Sequence, residues 1–126
     1  MTQEQKDLLL KDLCGRLSHG VKVEYENETF DVEYVCPMYE EVKLDIPETW
    51  TIGVSEVKPY LFPLSSMTEE QKREFDISMD MGYAAAYNAE INCANRMIDF
   101  FNKYHLDYRG LIPMGLANDA TELNIY

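Results

Sequence analysis

Val21-Lys22-Val23-Glu24-Tyr25-Glu26-Asn27-Glu28-Thr29-Phe30-Asp31-Val32-Glu33-Tyr34-Val35 alternates apolar and polar side chains through two runs. Period-two spacing puts Val21, Val23 and Tyr25 on one side of a β-strand, and likewise Phe30, Val32 and Tyr34. Asn27-Glu28 between the runs has the length of a two-residue hairpin turn, without the favoured Asn-Gly pair. Cys36-Pro37 interrupts the second run, and Glu41 to Ile46 resumes the alternation with Val42, Leu44 and Ile46 on one side. Pro47-Glu48-Thr49 turns the chain again, and Trp50, Ile52 and Val54 form a fourth apolar set. Four short strands at this spacing predict an antiparallel meander or a small, SH3-like, partly open barrel.

Helices flank the strands. Thr2 and Gln5 form a capping box ahead of Leu8, Leu9, Leu10 and Leu13, which lie along one helical face, and Gly15 supplies a stop. Downstream, Pro59 and Pro63 hold residues 57–67 extended, while Tyr60, Leu61, Phe62 and Leu64 require that this strap be packed. Thr68 and Gln71 open a second helix whose end, anywhere in 78–88, is not decided by the residues. From about Asn88 to Tyr104 a helical period predicts a third helix. After Gly110 an apolar stretch runs to Leu116, and a polar, frayed tail is expected from Asn118. The result is an α+β chain of one domain, residues 1–126: a helix over 1–17, strands over 18–56, the strap over 57–67, a helical part over 68–117 and the tail over 118–126.

The chain has 126 residues, 46% of them hydrophobic, enough to bury about two thirds of the surface its unfolded form exposes. Its formal charge is −12, and residues 21–56 carry ten acids against Lys22 and Lys43, which is −8 of that total. Such a balance argues against direct nucleic-acid binding and against anionic membrane surfaces. It suits a protein partner with a basic surface, or simply solubility, which is the commoner reason for such a charge. Three scattered cysteines without a CxxC pair predict buried free thiols in a reducing, cytoplasmic setting. Acids at Glu4, Asp7 and Asp12 argue against a signal peptide, and no apolar run approaches the roughly 20 residues that span a bilayer.

The sharpest polar cluster is Tyr104-His105-Leu106-Asp107-Tyr108-Arg109. His105 and Asp107 could form a proton-transfer pair with Arg109 holding an anion. The same residues could instead end the third helix, with Asp107 and Arg109 satisfying free backbone groups or each other. His19, His105 and the cysteines are too far apart for a zinc site, no DxDxDG loop exists for calcium, and neither GxSxG nor a phosphate-cradling glycine loop occurs, so no metal or cofactor is expected. Met67, Met79, Met81, Met97 and Met114 are either core filling or the lining of an adaptable groove. Glu24, Glu26, Asp31 and Glu33 should form a regular negative row along one exposed sheet face, with a strand repeat of about 6.6 Å. That row is a solvated face or a partner-binding surface, including one that mimics phosphates.

Val57-Lys58-Pro59-Tyr60-Leu61-Phe62-Pro63-Leu64-Ser65-Ser66-Met67-Thr68-Glu69-Glu70-Gln71, the stretch Phe100 to Leu116 with Asp107-Tyr108-Arg109-Gly110-Leu111-Ile112 at its centre, and Asp7 to Leu17 resemble a family of small proteins encoded by gut Bacteroides-type bacteria and their phages. The resemblance implies a bacterial or phage setting and carries over no catalytic residue. Taken together, the residues lead us to expect a non-enzymatic protein-interaction module, with Glu24, Glu26, Asp31, Glu33, Tyr108 and Arg109 as candidate partner contacts. The alternatives are an acidic nucleic-acid mimic that inhibits a host defence or DNA-handling protein, and a small enzyme using His105.

Overall fold

A computed structural model describes residues 1–47, 50–84 and 88–126. The architecture is α+β, with an N-terminal helix, a mixed sheet and two C-terminal helices. Helix α1, Gln3–Arg16, starts at the expected capping box: the Thr2 hydroxyl accepts from the Gln5 N–H at 3.1 Å, and the Gln5 side chain accepts from the Thr2 N–H at 3.0 Å. It runs through Gly15 instead of stopping there. The Asn102 side chain donates to the Gly15 carbonyl at 3.1 Å, and a short 3-10 turn, Leu17–His19, carries the chain to Gly20, whose φ of 75° makes the actual stop.

The four antiparallel strands form a meander: β1, Lys22–Tyr25; β2, Glu28–Cys36; β3, Glu41–Leu44; and β4, Ile52–Gly53. The turn between β1 and β2 is Glu26-Asn27, one residue earlier than the alternation suggested, with Tyr25 opposite Glu28. Both turn residues have positive φ, 50° and 65°, as a type I′ hairpin requires. A register shift between Val32 and Tyr34 inserts a bulge into β2. Past the bulge Val35, opposite Val42, takes the inner side and Tyr34 turns outward, which overturns its place in the apolar set. Trp50 leaves its set as well, lying outside β4 and 60% exposed. The expected turn at Glu48-Thr49 lies outside the described residues.

The strap is itself a strand. β5, Lys58–Pro63, pairs antiparallel with β1 at Lys58 and Pro59, then runs parallel to β7, Asn118–Asp119, at Tyr60 and Leu61, and to β6, Leu106–Asp107, at Phe62 and Pro63. The sheet order is β4-β3-β2-β1-β5-β6, with β7 also on β5. Proline donates no backbone hydrogen bond and interrupts long ladders; here the pairing is divided into two-residue pieces, with Pro59 and Pro63 each at the margin of one.

Helix α2, Glu69–Ala84, opens on the Thr68/Gln71 capping box, and α3 spans Ala89–Lys103. Residues 85–87 of the open 78–88 stretch lie outside the described residues. The 110–117 segment is not helical: Gly110 and Gly115, both at positive φ, break it into turns that drop Leu111, Leu116 and Ala117 into the core. The expected frayed tail instead supplies β7 and ends with Tyr126 docked on the sheet.

The main core packs Leu9, Leu10 and Leu13 of α1 against Val21, Val23, Val32, Val42, Leu44 and Leu61. A smaller aromatic cluster of Phe100, Phe101 and Leu106, with Phe62 and Phe75 against it, seats the helical hairpin. All three cysteines are free, but Cys93 alone is buried; Cys14 is exposed and Cys36 half-buried. None of the five methionines singled out is fully buried, and Met81, Met97 and Met114 are exposed.

Candidate functional site

The cluster at the end of α3 is built inward. Tyr104 caps the helix and His105 follows at φ 57°, a left-handed residue where glycine is commoner. The Asp107 carboxylate accepts from the Leu111 N–H at 2.8 Å and the Ile112 N–H at 2.9 Å, so it organises the next turn and not His105. Arg109 turns toward α1, where its Nε donates to Asp12 at 3.1 Å and its Nη2 donates to the Tyr108 hydroxyl at 3.0 Å. Asp12 is fully buried and also receives Arg16, through Nε at 2.8 Å and Nη2 at 3.1 Å; Nη2 reaches the Leu106 carbonyl at 2.7 Å as well. The Tyr108 ring stacks on Phe101, centroids 5.3 Å apart, with the Arg16 and Arg109 guanidinium groups 5.3 and 4.9 Å from its centre. Tyr108 and Arg109, candidates for partner contact, are thus half-buried and committed to internal partners.

His105 faces an unforeseen neighbour. Its ring lies flat on Tyr126, centroids 3.6 Å apart and 14° between planes. The Tyr126 hydroxyl donates to the Tyr60 carbonyl and accepts from the Lys22 N–H, each at 2.9 Å, bridging β5 and β1. Burial, with help from the nearby Arg16, His19 and Lys22 charges, lowers the His105 pKa to about 4, while burial raises Tyr126 to about 12. At neutral pH both rings are uncharged. Asp12, Arg16 and Tyr126 were missed by the sequence reading. The i, i+4 spacing of Asp12 and Arg16 was a signal for their pairing, whereas no local pattern marks Tyr126.

Between α2 and α3 a groove of about 420 Å³ is lined by His19, Ser78, Arg96 and Asp99. Lys103 spans it to Glu74 at 2.8 Å, and the Tyr104 hydroxyl also donates to Glu74. These hydrogen bonds lower the Glu74 pKa, and the bond to Glu74 raises those of Lys103 and Tyr104.

The acidic row is less regular than a strand repeat. Glu26 sits in the hairpin turn; Asp31 lies opposite Lys22 and pairs with it at 2.8 Å. Glu33 stands at the bulge, 3.8 Å from the Lys43 ammonium, which also donates to the carbonyls of Leu44 and Ile46. Glu24, Glu26 and Glu28 make no ion pair among the described residues. The negative field therefore concentrates at the hairpin end of the sheet. Also among the described residues, no three His, Cys, Asp or Glu side chains gather as a metal site requires, and no helix is long and apolar enough to cross a membrane. The chain matches no family model, no curated protein and no solved structure.

Proposed function

We propose that this chain is a non-enzymatic protein-interaction module that engages a partner with a basic surface through the hairpin end of its meander. The observation that carries the reading is the carboxylate group at the hairpin end of the sheet: among the described residues Glu26 and Glu28 make no ion pair, and Glu24, opposite Lys58 on the ladder, makes none either. Carboxylates left without counter-ions beside low-dielectric protein raise the local negative potential and steer a cationic partner. Tyr34, Met38 and Tyr39, large exposed side chains of types enriched in protein interfaces, lie toward the other end of β2, away from the hairpin, and would widen the contact rather than form its acidic centre. A bacterial or phage setting and a cytoplasmic location complete the proposal.

The test is capture from a lysate of a gut Bacteroides-type bacterium, comparing the native chain with a variant reversed at Glu24, Glu26 and Glu28. A partner retained at low salt, released at about 0.5 M salt where screening acts within about 4 Å, and absent with the variant supports the reading. A partner held equally by both proteins overturns it.

A further inference from the structure

The hairpin end of the meander carries an open cavity of about 440 Å³. Its walls are aromatic: Tyr25 and Phe30, ring centroids 6.3 Å apart and tilted by 56°, and Trp50. Ile46 and Pro47 complete the apolar lining, and Glu26 and Glu28 supply the rim. The type I′ turn places these two carboxylates on either side of the tip, with Glu28 directly across the ladder from Tyr25. Among the described residues, none that lines the cavity is basic.

Each feature restricts the occupant. An anion would meet two glutamates and no counter-charge. An uncharged apolar ligand would strip water from the carboxylates and return no hydrogen bond. A nucleobase could stack on the rings, but its phosphate would face the same rim. A cation on an alkyl stem satisfies all of them: methylenes lie along aromatic walls, the charge sits over the π faces, and the head reaches the carboxylates. The Tyr25 pKa is raised by burial first, then by the charge of Glu26 and a hydrogen bond with it, and last by the charge of Glu56.

We propose that the cavity bounded by Tyr25, Phe30 and Trp50 and rimmed by Glu26 and Glu28 is a binding site for a lysine or arginine side chain of a basic partner segment. The proposal deepens the interaction reading and rests on it. Lysine and arginine share the chemistry of a cationic head on an apolar stem, and the probes below separate them.

Trp50 is the chain's one tryptophan, so its emission reports directly on the cavity. Three capped octapeptides serve as probes, one lysine-rich, one arginine-rich and one with every lysine acetylated, and each is titrated by Trp50 fluorescence and by calorimetry. A saturable change in Trp50 emission with a cationic peptide is expected, and the tighter of the two identifies the preferred head group. The acetylated peptide should give no change. The double variant Glu26→Gln/Glu28→Gln should bind about tenfold more weakly, and Trp50→Leu, at an exposed position and checked for fold by circular dichroism, should weaken calorimetric binding similarly. Equal binding of the acetylated peptide overturns the proposal. Salt-sensitive calorimetric binding that leaves Trp50 emission unchanged and survives Trp50→Leu overturns the cavity site while the broader acidic surface stands. Absence of binding to both cationic peptides overturns the cavity site, while the interaction reading is decided separately by the lysate capture.

Discussion

Asp12 holds two arginines in a space where a lone charge would be expensive. Both its oxygens accept from Arg16, a third hydrogen bond comes from Arg109, and Arg16 is itself fully buried. Removing the carboxylate leaves a buried guanidinium without its counter-ion, a change that costs about 3 to 5 kcal/mol in comparable buried pairs. Asp12→Ala is therefore expected to lower the urea midpoint strongly, with Arg109→Ala milder because Arg109 is partly exposed; an Asp12→Ala loss no larger than that of Arg109→Ala would contradict the buried pairing. His105 makes a pH prediction of defined sign. Its folded pKa, about 4, lies below the usual 6.5, so between these values the unfolded chain binds a proton that the native chain refuses. The neutral-His105 contribution to stability is thus full above about pH 6.5 and declines as pH falls toward 4. The loss is about 1 to 3 kcal/mol by linkage. Subtracting the pH-stability curve of His105→Gln from that of the native chain should isolate this slope; parallel curves from pH 7 to 4 would refute it.

The helical hairpin closes where α2 has no side chain. A Cβ placed on Gly82 would lie 2.8 Å from the Cys93 sulfur, inside any real contact, so α2 and α3 approach as they do because position 82 is glycine. Gly82→Ala gains roughly 1 kcal/mol of helix propensity but meets an overpacking cost of about 1 to 3 kcal/mol. Net destabilisation is expected, and Cys93→Ala in the same chain should recover part of it, visible as a favourable coupling in a double-mutant cycle of thermal melts. Additive effects would show that the contact is not what limits the approach. The strand elements follow different logic. The capping boxes at Thr2 and Thr68 are local arrangements, readable within five residues, whereas the turn at Glu26-Asn27 falls one residue from where the alternation put it, because the pairing of Tyr25 with Glu28 sets it. The bulge at Val32/Tyr34 and the pairing of β5 with β6 and β7 are not local either, because each depends on a partner strand far away in the chain.

Across the whole molecule, the last residue ties the sheet together. The Tyr126 hydroxyl bridges Lys22 and Tyr60, and its ring covers His105 and packs on Phe62 at 5.9 Å. Tyr126→Phe keeps the rings and deletes both hydrogen bonds, which should cost about 1 to 3 kcal/mol because the Lys22 and Tyr60 backbone groups lose their partner. Tyr126→Ala should in addition raise the His105 pKa toward 6.5 as water reaches the ring, followed by imidazole proton shifts in NMR. An unchanged His105 titration would mean that Tyr126 does not shield it. Period, caps and prolines were enough to read an α+β chain with a β1–β4 meander between helices, because backbone preference and side-chain alternation are set by neighbours in sequence. Local spacing could not reveal that Asp107 and Arg109 turn away from His105, that Lys22 and Lys43 neutralise Asp31 and Glu33, or that Tyr25, Phe30 and Trp50 converge around one cavity. Those outcomes depend on register and on contacts spanning up to 104 residues, where burial and charge pairing select one partner among many of the same chemical type.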